Sequence, residues 1–517
     1  MFQILKSGGA KIVNERNKLY AYLFIAIVTL ALILRIYHLD LRPFHHDEAV
    51  HGWFACKILS TGDYHYQPWA HGPFQFYITA LVFHLSGASE LTGRILPAIA
   101  GTLLVASVFP LRRYIGEAGA VFLALFLALS PSFLYYSRFF RNDIYLALFS
   151  LLVLILVLRY IETPNLHSAA LAGLTAGLAT SAKENAYVIL FIFVSFGILY
   201  LIRERGRIRG KELVRENLPA IVTAIVVGCI VYYLFYSFFL KHPYDPFTAI
   251  PHAIDHWSSY TGGPSGPFYF YIPLMALYEL PVLIFGVCGI IYYWVREKNN
   301  TLMLFLTYYF AFLMIVQASL HEKAPWLTVH LILPLSIIAA GFVDKLVQME
   351  GKWVKRAAIT VLGITLIFMV ANSLALNYIR FVDPAEPMIQ AAQPDMHFKE
   401  MISRVNEVAS GLDGYNTRII VTDPKLETQL LWNLRDYRKV RWRVDINSTL
   451  DAPLIFVHDL DADLVEKRLE ERGYMRMEGR ILQWYWWKPG DVNLRFILFR
   501  EMDRDPDGYG VVLFYKE

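Results

Sequence analysis

The stretch HHDEAVHG, His45 to Gly52, places two carboxylates and three imidazoles directly after a long apolar run. A carboxylate there could take a proton from an attacking hydroxyl, provided that cations hold the group that leaves. Three further segments put charge at the edges of apolar runs. YYSRFFRNDIY carries Arg138, Arg141 and Asp143, ATSAKENAY carries Lys183 and Glu184, and LHEKAPWLTVH carries His321, Glu322 and Lys323. A charge at the bilayer centre costs about 2.5–3.5 kcal/mol on insertion scales and less near the interface, so these residues need a reason. Converging on one cavity, they would suit transfer of a group from a lipid phosphate: the carboxylate as base, the cations on the phosphate, the lipid tail left in the bilayer. Plainer readings stand beside this one. Arg138 and Arg141 could snorkel, Arg141 could pair with Asp143, and Lys183 could pair with Glu184. Asp47 and Glu48 could cap a helix and serve its dipole, a role compatible with catalysis. Intramembrane charges also occur in transporters.

The elements that must position these residues are membrane helices. The chain has 517 residues, 56% hydrophobic and 18% charged, against roughly 25% charged in soluble domains. Its mean hydropathy is +0.40. A net charge of +4 gives no basis for nucleic-acid binding. Cys56, Cys229 and Cys288 are too far apart for a disulfide framework or a zinc spacing. The first apolar run, Leu19–Ile36, is too long for a signal-peptide core and has no cleavage site after it, so it reads as a retained span.

Further spans are expected at Ile95–Leu111, Ala118–Leu134, Ile144–Leu158, Ser168–Ser181, Tyr187–Ile202, Leu218–Leu240, Ile272–Val295, Leu302–Leu320, Val329–Val343 and Ala357–Ala375. That makes about eleven by the length rule. Ser168–Ser181 is the weakest, short and rich in small residues, and belongs inside the bundle. Counting it places Arg112 and Arg113, the run Arg203–Glu216, Arg296 and Lys298, and Lys345–Arg356 all on the cytoplasmic side. The expectation is therefore a multi-pass plasma-membrane protein with a cytoplasmic N-terminus and an extracytoplasmic tail.

Two external pieces follow. The loop Tyr37–Arg94 contains an apolar stretch too short for a span, read as an interfacial helix with Trp69, Phe74 and Tyr77 as belt aromatics. His65 and His84 read as interfacial polar tips. Beyond about residue 380 the long apolar runs stop. RIIVTD, PLIFVHD, ILQWYWW and YGVVLFY read as strands, and LDADLVEKRLEERG as a helix with Asp461 as its cap and Gly473 at its stop. The fold class is mainly α: a polytopic helix bundle over residues 1–379, with a small external α/β domain over 380–517.

In this order, these segments resemble the GT-C superfamily of polytopic glycosyltransferases, in the protein O-mannosyltransferase and lipid A aminoarabinose transferase branch. The chain is most similar there to a prokaryotic, largely archaeal group described as flippase-activity-associated. HDEAVHG resembles the first-loop Asp-Glu motif, YSRFFRNDIYLALF the Ser-Arg…Asp segment, GLATSAKENA the Gly-Leu…Lys segment and HEKAPWLTVHLILPL the Lys-Pro-Trp…Pro segment. FVDPAEPMIQAAQPDM and LWNLRDYRKV in the tail are similar to the narrower group.

The resemblance implies a polyprenyl-phosphate-linked sugar as donor and an inverting displacement at its anomeric carbon, with the polyprenyl phosphate leaving. It implies Asp47 as catalytic base, with Glu48 in support. Arg138, Asp143, Lys183 and Lys323 match family positions, and Arg141 adds a cation. His46, His51, His71, His321 and Glu322 are supporting candidates. Two family cations are absent, their positions being taken by Val50 and Gly72. The acceptor is a hydroxyl on protein, glycan or lipid, and membrane lipids surround the bundle. His45, His46, Asp47, Glu48, His51 and His71 could in principle assemble a divalent metal site, though no spacing is diagnostic and no cofactor is certain. The competing function is a lipid-linked-sugar flippase component or transporter without transferase chemistry.

Overall fold

The computed structural model describes residues 2–204, 210–260, 265–389, 392–485, 491 and 493–516. Gly262, Gly263 and Pro264, and Trp486 and Trp487 of the ILQWYWW run, lie outside the described residues. The chain forms two compact units. One contains Met1–Tyr37, Tyr64–Gln75 and Ile95–Asn377, and the other His38–Asp63, Phe76–Arg94 and Tyr378–Glu517.

Long apolar helices dominate the chain because each apolar run must satisfy its own backbone in hydrocarbon. Among the described residues, eight helices are long and apolar enough to cross a membrane: Lys18–Ile36, Glu90–Ile115, Asp143–Glu162, Asn185–Arg203, Val214–Tyr236, Thr301–Ser319, Pro325–Gln348 and Lys352–Ile379. Two bent pairs bring the number to ten, Glu117–Leu129 with Pro131–Ser137 at 58° and Tyr271–Tyr278 with Leu280–Arg296 at 114°. The expected eleventh, Ser168–Ser181, is a helix, Leu166–Ala182, but its 17 residues fall short of that length. It does sit where its composition places it. A Cβ on Gly173 would lie 2.2 Å from the Ala224 carbonyl oxygen, and one on Gly177 2.7 Å from that of Gly228. The helices touch backbone to backbone, as small residues allow.

Both bends fall at proline. Pro131 starts one half-helix and Pro281 the other. Glu279 joins them: its Oε1 accepts from the Ser130 hydroxyl at 2.6 Å and from the Ser132 N–H at 3.0 Å. The segment after Lys241 adds a helix that no sequence pattern announced. Asp245–Ser259 is a helix, started by Pro246 in its first turn.

In the second unit, five strands form one sheet: β1 Arg418–Val421, β2 Lys439–Arg441, β3 Leu454–His458, β4 Met475–Trp484 and β5 Asp507–Tyr515. Their order is β2-β1-β3-β5-β4, with β1 parallel to β2 and β3, and β5 antiparallel to β3 and β4. Ile419, Val421, Leu454 and Phe456 face one core; Ile420, Ile455, Val457 and Phe514 face another. Burial on both faces is why these strands read as unbroken apolar runs. The expected helix is Ala462–Leu469, closed by Gly473 in the left-handed region at φ 69°. Asp461 makes no side-chain capping bond there; His458 Nδ1, in the short turn before it, accepts from the Leu460 N–H.

Candidate active site

In the second unit, HHDEAVHG begins the helix His46–Thr61. The cap is His45, not Asp47: its Nδ1 accepts from the Asp47 N–H at 3.2 Å, and Glu48 Oε2 accepts from the His45 N–H at 3.0 Å. This is a reciprocal capping box with a histidine in the place of the usual serine. Glu48 is fully buried between two arginines. Arg94 binds it with Nε at 2.8 Å and a terminal nitrogen at 2.7 Å, and Arg42 at 2.8 Å. Arg94 also donates to the carbonyls of Leu39, Arg42 and Pro43, tying the loop before the helix to this carboxylate. Asp47, one residue earlier, is half-buried. The two acids thus divide the work: Glu48 holds the turn and Asp47 is carried by it.

Around this turn, His46 keeps a buried Nδ1 without a hydrogen-bond partner. Burial holds its pKa below the ordinary value, with Asp47 opposing. His51 is buried with its ring edge-on to Phe76 at 5.5 Å. Gly52 is required to be small: a Cβ there would meet the Trp432 ring at 2.7 Å. Trp432 also packs on Phe44 at 4.8 Å, and Gln429 donates to the Phe44 carbonyl at 3.2 Å. The tail helix Glu427–Asn433 is thus the backing of the Asp47 turn.

In the first unit, Asp143 is the hub of a buried network. Its Oδ1 meets Lys183 Nζ at 2.7 Å and His330 Nε2 at 3.2 Å, and its Oδ2 meets Arg141 Nε at 3.1 Å. The Arg141 guanidinium lies 3.7 Å from the Trp326 ring centroid and 3.3 Å from His71 Nε2. His71 Nδ1 is 2.9 Å from Glu184 Oε2, and the Tyr66 hydroxyl donates to Glu184 Oε1 at 2.6 Å. Burial, and next the Lys183 charge, holds the His71 pKa below its ordinary value, against Glu184. With Nδ1–H given to Glu184, Nε2 is the acceptor facing Arg141. Lys183 and Glu184 are therefore not partners in a loop pair; each enters the network separately. Trp257 stacks on His71 at 5.5 Å and 11°.

The remaining candidates are placed differently. Arg138 donates to the carbonyls of Leu34, Arg35 and Tyr37, closing the C-terminal end of the first apolar helix. Lys323 does the same for the Thr301–Ser319 helix, donating to Ala318 at 2.8 Å and also to Leu320. His321 is exposed; Glu322 pairs its backbone with Ser265. At Gly72 no side chain fits, because a Cβ would lie 2.2 Å from the Ser181 carbonyl oxygen. Any side chain at that position is excluded by this close backbone approach. His330, Trp326, Arg42 and Arg94 were not among the expected residues.

The six residues considered for a metal do not fit one as a set. Glu48 is held by two arginines, His51 lies against Phe76, and His71 is held by Glu184 and Arg141.

The fold is that of the GT-C membrane glycosyltransferases. Solved structures that share it include ArnT from Cupriavidus metallidurans bound to undecaprenyl phosphate, with TM-score 0.61, 16% identity and coverage of 95% of this chain and 97% of that one. The Archaeoglobus fulgidus oligosaccharyltransferase in complex with zinc and sulfate matches at TM-score 0.57 and 13% identity, over 88% of this chain and 71% of that one. The oligosaccharyltransferase AglB from the same organism, with an inhibitory peptide and a dolichol-phosphate, matches at TM-score 0.56 and 13% identity, over 87% and 68%. Residues 70–236 match the family model described as dolichyl-phosphate-mannose-protein mannosyltransferase, a stretch that includes His71, Arg141, Asp143, Lys183 and Glu184. No curated protein is significantly similar in sequence.

Proposed function

We propose that the protein is a membrane glycosyltransferase that moves a sugar from a polyprenyl phosphate to an acceptor hydroxyl on the extracytoplasmic face. Asp47 takes the hydroxyl proton, the acceptor oxygen bonds to the anomeric carbon, and the carbon–phosphate-oxygen bond breaks with inversion. Arg141 and Lys183 hold the departing phosphate, with Asp143 and His330 fixing where their charges lie. The observation that carries this reading is the buried Asp143–Lys183–Arg141 network inside the segment matched by the mannosyltransferase family model. That relatives of the same fold bind undecaprenyl phosphate and dolichol-phosphate supports the donor class.

The test uses purified protein in lipid nanodiscs with radiolabelled polyprenyl-phosphate sugars and candidate acceptors. Release of lipid phosphate is expected, and Asp47→Asn should lower it by about 10²–10⁴-fold, the usual contribution of a general base. Undiminished turnover in Asp47→Asn would remove the base from Asp47. Translocation of the lipid-linked sugar that survives the same change, with no lipid phosphate released, would favour a flippase.

A further inference from the structure

A cavity of about 560 Å³ opens within the second unit, between the helix Met396–Gly411 and the segment Trp432–Tyr437. Its size falls within the ~300–1,000 Å³ of small-molecule sites. The transferase reading uses none of the cavity's polar groups. LWNLRDYRKV, one of the tail segments singled out in the sequence, forms one wall.

We propose that this cavity is a binding site for a neutral carbohydrate, one or two sugar rings of a glycan. The helix wall carries the first argument. Lys399, Ser403, Asn406 and Ser410 follow one another at four-, three- and four-residue steps, so they share one helical face. The opposite face, Met401, Val405 and Val408, is buried in the sheet core. The cavity therefore meets a stripe of polar side chains, flanked by the apolar Phe398, Ile402 and Ala409.

Their hydrogen-bonding state is set. Asn406 Oδ1 accepts from the Tyr437 hydroxyl at 2.9 Å, which leaves the amide N–H groups as donors. The Ser403 and Ser410 hydroxyls donate back to their own helix, at Lys399 and Glu407, and keep oxygen lone pairs as acceptors. Asn433 gives its N–H to the Gln429 carbonyl and keeps Oδ1 as an acceptor. Donors and acceptors side by side suit a molecule whose every hydroxyl is both.

Aromatic surface supplies the second argument. Tyr415 is 59% exposed at the cavity, its ring edge-on to Tyr437 at 5.4 Å. An exposed ring beside polar groups matches the apolar C–H face of a sugar.

Charge supplies the third. Lys399 lies 3.6 Å from Glu90, and Arg435 lies 3.7 Å from Asp436 while also donating to the Ala88 carbonyl. The lining is balanced in sign, and its cations are occupied, so neither a phosphate nor an acidic chain is favoured.

The test is saturation-transfer NMR on the full-length protein in nanodiscs, with mannobiose and cellobiose as neutral probes and inorganic phosphate in competition. Saturation transfer to at least one disaccharide is expected, unaffected by phosphate. Tyr415→Ala, a change at an exposed side chain, should abolish it, and Ser410→Arg should block it by filling the cavity. Release of lipid phosphate from the donor should persist in both variants when a small soluble acceptor is used. No transfer to either disaccharide, transfer unchanged in Tyr415→Ala, or displacement by phosphate would each overturn the proposal. None of these outcomes bears on Asp47, so failure here is separable from failure of the transferase reading.

Discussion

Asp47 and Glu48 adjoin in sequence and answer to different physics. Glu48 sits at zero exposure between Arg42 and Arg94, so removing its charge strands two buried guanidinium groups. Breaking a buried pair on one side typically costs about 3–5 kcal/mol. Glu48→Gln should therefore lower the thermal midpoint markedly, whereas Asp47→Asn should leave it near the parent while turnover falls. Equal midpoints for the two variants would refute this division.

The histidines predict a pH dependence of fixed sign. His46 and His71 both have pKa values held below 6.5 by burial, opposed at Asp47 in one case and at Glu184 in the other. An unfolded chain binds these protons before the folded one does. Their contribution to stability is thus complete above 6.5 and is lost as pH falls from there through the lower folded values. Melting followed by tryptophan fluorescence should be flat above about pH 7 and fall below it, less steeply in His46→Gln/His71→Gln. Asp47, Glu48, Arg141, Asp143, Lys183 and Glu184 were legible from the cost of charge at a membrane edge, whereas Arg42 and Arg94 were not. The local partner Arg141 of Asp143 was legible too, but the distant partners were not: Arg94 is 46 residues from Glu48, and His330 is 187 from Asp143. His330 also lies inside an apolar run, where a lone histidine carries no periodic signal.

At the scale of elements, sequence patterns located the long helices and the buried strands. They could not weigh short helices whose stability is tertiary. The helix Leu166–Ala182 was recognised through its glycines, whose meaning is close approach to another backbone. Asp245–Ser259 was not anticipated; it carries Pro246 in its first turn, where a proline costs a helix little. The tail helix Glu427–Asn433 was missed too, and it has the clearest consequence. Its Trp432, 2% exposed, fills the space left by Gly52 behind the Asp47 turn. Trp432→Ala leaves a cavity costing about 3–5 kcal/mol and releases the turn from its backing. If Asp47 is the base, as proposed, turnover should drop more than donor KM changes, because Asp47 loses position while Arg141 and Lys183 are untouched. A rise in KM with kcat preserved would place Trp432 in donor binding and oppose this account.

For the whole molecule, the sidedness of the chain turns on one helix. Ten crossings return the tail to the side of the N-terminus, whereas an eleventh, Leu166–Ala182, sends it to the other. The charge pattern predicts the eleventh. Only with that crossing do Arg112 and Arg113, Arg203, Arg215, Arg296, Lys298, Lys345 and Lys352 share a side, as the positive-inside rule requires. Its length of 17 residues is at the short end of the roughly 17–25 that spans use. Its glycine contacts with the Gly210–Tyr236 helix offset the weak apolarity through packing. With Cys56, Cys229 and Cys288 replaced by alanine, a single cysteine at Lys352 or Ser410, both exposed, reports each side. An impermeant maleimide added to intact cells should label Ser410→Cys and reach Lys352→Cys only after lysis. That pattern would put Asp47, which belongs to the same compact unit as Ser410, on the extracytoplasmic face, where a flipped lipid-linked sugar is presented. The reverse pattern would count ten crossings or invert the chain, and labelling of both or neither in intact cells would mean that the helix Lys352–Ile379 does not cross. Either result would remove the extracytoplasmic assignment of the reaction or the parity argument behind it.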